Sequence, residues 1–177
     1  ERMLADVAGA AAAVVTLTER IDAAFFDAAG PQLRVVANAA VGFDNIDLAE
    51  AKRRGVVITN TPGVLDEATA DHTFAMLLAI TRRVVEADRF ARSGEPWIWG
   101  PTMLVGLDIS AGATLGVIGL GRIGRAVARR AQAFGMRVIA SHPRLEVGTR
   151  LDGVEIVDQA ELLATSDVVT LHVPLRP

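Results

Sequence analysis

The stretch TLGVIGLGRIG, residues 114–124, decides the fold. Leu115-Gly116-Val117-Ile118 is an apolar β-type run, and it leads into Gly119-Leu120-Gly121-Arg122-Ile123-Gly124. From Arg125 to Phe134 the pattern becomes that of an amphipathic helix. G-x-G-x-x-G therefore stands where it carries meaning, between a strand and a helix. Each glycine has a physical reason to be there. Gly119 allows the tight turn, Gly121 the close approach of a pyrophosphate, and Gly124 the packing of the helix on the strand. Free N–H groups and the dipole at the helix start favour a phosphate there, with the backbone of Arg122 and Ile123 facing it. The pattern calls for a bound dinucleotide.

Bulk properties narrow the rest. At 177 residues the chain has room for one ordinary domain or parts of two. Its hydrophobic fraction of 51% is enough for a sizeable core. A formal charge of −3 supplies no basic footprint, so nucleic acid is not expected as a partner. Without cysteine there is no disulfide framework and no cysteine metal site. His72, His142 and His172 lie too far apart in sequence for a local metal cluster, and no metal is expected. No apolar run reaches the roughly 18 residues of a membrane span, and a cytoplasmic location is the expectation. The start, Glu1 to Asp6, reads neither as a signal peptide nor as a native start.

Strand and helix patterns alternate along the chain, which argues for an α/β fold with a mainly parallel sheet. Residues 12–17 read as a strand, Thr18 as a cap, and 21–29 as a helix ended by Gly30-Pro31. Strands follow at 33–37 and 56–59, separated by a polar turn and a short helix over 47–54 that Gly55 closes. One long helix is expected over 66–91, with Phe74, Leu77, Leu78, Thr81 and Val85 on one face and Met76, Ile80 and Val84 elsewhere around it. A helix so apolar packs against more than one partner, within the core or across two domains or a dimer axis. The loop 93–101 holds both tryptophans, Trp97 and Trp99. These fit an interface arm or a simple anchor of the loop to its own domain. Beyond the glycine turn, strands are read at 137–140 and 167–173, with a short extension at 154–157 and a helix at 159–165.

Taken together the motifs resemble the D-isomer-specific 2-hydroxyacid dehydrogenases, most closely the glyoxylate/hydroxypyruvate reductase branch. VVANAAVGFDNIDL (35–48), RRGVVITNTPGVL (53–65), ATADHTFAMLLAITRR (68–83), TLGVIGLGRIGRAVARRAQAFGMRV (114–138) and LLATSDVVTLHVPL (162–175) stand in family order. The resemblance implies two domains. One is part of a flavodoxin-like substrate domain, residues 1–65. The other is part of a Rossmann-type doubly wound cofactor domain, residues 66–177, opened by the long helix. It also implies an NAD(P)-dependent enzyme reducing a small 2-keto acid. Within the same family a cofactor-sensing corepressor and a formate- or phosphite-type dehydrogenase are the alternatives. The family's catalytic arginine, acid and histidine follow the point where this sequence stops. No catalytic residue is therefore assigned, the chain is expected to be a piece of a longer one, and the piece alone is expected to be inactive.

The resemblance also assigns roles. Val41 and Gly42 match the loop whose N–H groups hold the substrate carboxylate. Thr69 matches a position on the nicotinamide side of the cofactor, though a threonine at a helix start also serves as a cap. Asn60, Thr61 and Pro62 match a hinge segment, and His172, Val173 and Pro174 a segment beside the cofactor's ribose. His72 reads as a structural helix residue, and Arg125, Arg129 and Arg130 as the solvated face of their helix. NAD-preferring sites place an acid about 20 residues beyond the glycines to hold the ribose 2′-hydroxyl. Here Ser141-His142-Pro143-Arg144 offers no carboxylate, the nearest being Glu146. Ser141, His142 and Arg144 suit a 2′-phosphate instead, so NADP(H) is favoured over NAD(H). The apolar helix and the tryptophan loop point to a homodimer.

Overall fold

Short apolar strands linked by helices can pair in parallel only if each link crosses back over the sheet, and the chain builds two such sheets. The computed structural model describes residues 2–174. It divides into two units, one built by the chain up to Leu65 and one by Asp66–Val173.

In the first unit the order is α1 (Arg2–Val7), β1 (Ala12–Val15), α2 (Ala23–Ala29), β2 (Val35–Asn38), α3 (Leu48–Arg53) and β3 (Val57–Thr59). The strands form a parallel three-stranded sheet in the order β1-β2-β3. Val36 at its centre is fully buried, together with Ile21, Phe25, Phe26 and Ala29. Thr18 is not the cap of α2. Its hydroxyl is engaged with Thr16 and Glu19, while the Asp22 carboxylate accepts from the N–H groups of Ala24 and Phe25. Asp47 caps α3 in the same way through the Glu50 N–H. Such a cap contributes about 1 kcal/mol. On α3 the Arg53 and Arg54 guanidiniums hold the Glu50 carboxyl down at about 2.

The second unit contains α4 (Asp66–Thr81), α5 (Val84–Arg92), β4 (Thr114–Ile118), α6 (Arg122–Ala133), β5 (Arg137–Ser141), β6 (Arg150–Leu151), β7 (Val154–Ile156), α7 (Gln159–Thr165) and β8 (Val168–Leu171). Its five strands run in the order β6-β7-β5-β4-β8, all parallel except the β6–β7 hairpin. Successive parallel strands step outward from β4 through β5 to β7, and the next, β8, returns to the other side of β4. That reversal is the switch point of a doubly wound sheet, and the α/β class expected from the sequence is what the chain adopts. Alternate β4 residues face opposite ways. Leu115 and Val117 share a core with Ala126, Val127 and Ala131 of α6. Gly116 faces α7 so closely that a methyl group there would stand 2.6 Å from Leu162.

The long helix expected over 66–91 is two helices. Arg83 between them is left-handed, at φ 53°. The Thr81 hydroxyl bonds back to the Leu77 carbonyl, and the Thr81 carbonyl accepts from the Leu107 N–H at 2.9 Å. Gly106 lies against that carbonyl where no side chain fits. The returning segment thus captures an acceptor the helix needed for its next turn, and apolar periodicity carries no sign of such a distant competitor. On α4, Ala70, Phe74 and Leu77 are buried, whereas Met76 and Ile80, with Val84 and Val85 of α5, remain exposed. Trp97 and Trp99 are also exposed, although Trp97 packs against Phe90. Among the described residues no helix is long and apolar enough to cross a membrane.

Candidate dinucleotide site

The turn after β4 has the shape its glycines demand. Gly119 adopts φ 98°, and a Cβ there would stand 2.6 Å from the His172 carbonyl oxygen. Gly124, buried in the first turn of α6, lies against the Gly119 carbonyl, 2.2 Å from where its own Cβ would be. Gly121 differs from both. It precedes α6 at φ −80°, and a Cβ there would meet no protein atom within 4 Å. Folding therefore explains two of the three glycines, and the third faces open space.

Among the described residues, none of the N–H groups of 120–124 donates a hydrogen bond. The start of α6 has no side-chain cap and no acidic residue in its first turn. Every other α-helix of this unit carries Asp or Glu in its first turn. Unpartnered N–H groups at a helix start, aided by the dipole, form a ready cradle for an anion. The open space before Gly121 gives a pyrophosphate access to it, so these residues fit the phosphates of a dinucleotide.

The carboxyl ends of the neighbouring strands are tied to this turn. The Gly119 N–H donates to the Ser141 carbonyl at 2.9 Å, and the His172 N–H donates to the Ile118 carbonyl at 2.8 Å. Ser141, His142, His172 and Val173 are thereby gathered around Gly119 at the switch point. Ser141 closes β5, and His142–Leu145 is a tight turn in which the Leu145 N–H donates to the His142 carbonyl. The His142 Nδ1 accepts from the Arg144 N–H at 3.2 Å, a bond that assigns the donor role of the neutral ring to Nε2. Glu146 follows this turn, exposed. His172 is half-buried, its Nε2 3.0 Å from the Thr170 hydroxyl, and burial pushes its imidazole pKa down, toward the neutral form. Pro174 is the last described residue. Thr69 is the fourth residue of α4, past the capping position, exposed and beside the buried Ala70. Among the described residues no hydrogen bond joins it to the glycine turn. His72 is exposed on α4.

Val41 and Gly42 lie in the first unit, after β2. Their carbonyls are held by two side-chain amides, Asn60 on Val41 at 2.9 Å and Asn38 on Gly42 at 2.7 Å. The Thr61 N–H donates to Ala40 beside them. Among the described residues the N–H groups of Val41 and Gly42 have no acceptor. Asn60 and Thr61, expected at a hinge, are thus fastened to this loop. Asn38 is the residue that sequence reasoning overlooked. It is 1% exposed, and among the described residues its Oδ1 has no partner. An asparagine ending an otherwise apolar strand was the available signal. A cavity of about 610 Å³ elsewhere in this unit is lined by Asp27, Arg53 and Arg54, whose charges already pair with one another and with Glu50.

Comparison with known proteins agrees with the geometry. The family model for the NAD-binding domain of D-isomer specific 2-hydroxyacid dehydrogenases matches residues 74–177. A glyoxylate reductase of Korarchaeum cryptofilum is 55% identical over 93% of this chain and 49% of its own length. A crystal structure of a Thermus thermophilus protein superposes with a TM-score of 0.91 at 48% identity, covering 99% of this chain and 54% of that one. D-lactate dehydrogenase from Aquifex aeolicus, solved with NAD and lactic acid, gives 0.83 at 32% identity, covering 98% and 51%. The chain spans about half the length of the curated relatives it matches. The glycine turn at the switch point and a family match extending over more than half of the chain lead to one assignment: the chain belongs to the D-isomer-specific 2-hydroxyacid dehydrogenase family.

Proposed function

We propose that the chain is the greater part of the cofactor-binding machinery, with part of the substrate machinery, of an NAD(P)-dependent 2-hydroxyacid dehydrogenase. Its substrate is a small 2-keto acid such as glyoxylate or hydroxypyruvate. The observation that carries this reading is the row of unpartnered N–H groups at 120–124 beside the open Gly121. Relatives named glyoxylate reductase, at about half identity, support the substrate class. A bound nicotinamide supplies the hydride. The chain's own residues bind and orient. Gly119, Gly121, Arg122, Ile123 and Gly124 receive the pyrophosphate. His172, Val173 and Pro174 border the ribose, and Thr69 the nicotinamide side. In the first unit, the part of the substrate domain, Val41 and Gly42 turn their N–H groups to the substrate carboxylate, because the Thr61 N–H and the Asn60 amide hold the Ala40 and Val41 carbonyls of the same two peptides the other way.

NADP(H) is the preferred cofactor in this proposal. The turn after β5 offers Ser141, the Nε2 donor of His142 and the Arg144 guanidinium, all suited to a 2′-phosphate. Assays of the protein at its natural length with glyoxylate are expected to give a higher kcat/KM with NADPH than with NADH. A clear NADH preference overturns the cofactor assignment, and no turnover with any small 2-keto acid overturns the activity. The working state in this proposal is a homodimer, supported by the exposed Ile80, Trp97, Ile98 and Trp99. A monomer by light scattering contradicts that.

A further inference from the structure

Arg125 belongs by periodicity to the solvated face of α6, yet its side chain folds back over the glycine turn. Its Nε donates to the Leu120 carbonyl at 3.3 Å, and its main-chain N–H donates to the Gly121 carbonyl at 3.0 Å. One residue therefore holds both peptide planes that flank Gly121. In a trans peptide the carbonyl and the N–H point in opposite directions. Holding the Leu120 carbonyl toward the guanidinium turns the Gly121 N–H away from it. The guanidinium is itself steadied, since its Nη1 lies 3.7 Å from the Asp152 carboxylate. Asp152 is left-handed at φ 53° in the β6–β7 turn, and its carbonyl accepts from Gln132 of α6 at 2.9 Å.

We propose that Arg125 is a positioning residue for dinucleotide binding: braced by Asp152, it fixes the Leu120–Gly121 peptide so that the Gly121 N–H is presented to the pyrophosphate. This rests on the dinucleotide reading above. The β6–β7 hairpin thereby acquires a role, as a buttress for the phosphate turn. Arg125 acts through the backbone and is not assigned a contact with the ligand. It also adds positive charge at the first turn of α6, where a cation is unfavourable to the helix alone and an incoming anion relieves it.

The test is titration of the natural-length protein and two variants with NADPH, and separately with adenosine, which has no phosphate. Arg125→Met is expected to raise the NADPH Kd about 10-fold, the loss of one charge-assisted orienting bond. Adenosine affinity should be unchanged, as should kcat at saturating NADPH. Arg125→Lys, which retains charge and a donor, should recover most of the loss. A lysine no better than methionine overturns the proposal. So does an Arg125→Met variant that binds NADPH like the parent, or one that loses adenosine and NADPH in parallel, the mark of a merely structural role. If the unsubstituted protein binds neither NADPH nor NADH, the dinucleotide reading itself fails, and that result is distinguishable from the others.

Discussion

Gly124→Ala is expected to destabilise the second unit by about 3 kcal/mol, toward the upper end of what overpacking costs. Helix propensity alone points the other way, since replacing a helical glycine by alanine stabilises by about 1 kcal/mol. Local geometry decides the sign. The new methyl would stand 2.2 Å from the Gly119 carbonyl oxygen and 3.3 Å from Val117 Cγ1. The oxygen is backbone and has no rotamer to change. Nor can Gly119 retreat, because its N–H is bonded to Ser141 and the His172 carbonyl blocks the space beside it. Relief therefore requires α6 to lift from β4, opening the contact of Val127 and Ala131 with Leu115 and Val117. Urea unfolding followed by circular dichroism measures the outcome. A midpoint equal to or above the parent's would show that the helix does not press on the turn as the geometry states.

The glycine turn was legible because its instructions are local. Three glycines at fixed spacing, between an apolar run and a helical period, encode the turn, the helix start and the close packing within a few residues. The same holds for α7, whose limits match the sequence reading. What escaped depends on partners distant in sequence or on elements too short for a period. The break at Arg83 is made by Gly106 and Leu107 seizing the Thr81 carbonyl, and no window around residue 83 contains them. Asn38 and Asn60 reach the loop at 40–42 from two different strand ends. The two-residue β6 and the six-residue α1 are too short to show periodicity. Arg125 is exposed, as its period implies, yet its side chain also reaches the turn. A helical wheel records where a Cβ points, but a long side chain can fold back along the helix to a carbonyl in the preceding turn. The site is thus more connected than its motif, since the glycines supply the cradle while residues with no motif of their own aim it.

Gly121→Ala separates ligand from fold more sharply than any other change in the turn. Gly121 has φ −80° and ψ −158°, extended backbone that alanine adopts without strain. Its new methyl meets nothing within 4 Å. The residue precedes α6 as its cap, where glycine and alanine both lack a capping oxygen, so stability should change by no more than about 1 kcal/mol. Binding should respond very differently. A pyrophosphate seated on the N–H groups of 121–123 must approach the Gly121 Cα closely, and the methyl occupies that approach. Losing two charge-assisted bonds, at about 1.5 kcal/mol or more each, weakens NADPH about 100-fold. Titration of NADPH fluorescence on the natural-length protein measures this, beside an unfolding curve for the same sample. Together with Gly124→Ala the result is a crossed pair, one glycine required by the fold and the other by the ligand. Unchanged NADPH affinity in Gly121→Ala would mean that the pyrophosphate does not approach this peptide, and the placement of the cofactor on the turn would have to be abandoned although the fold around it is correct.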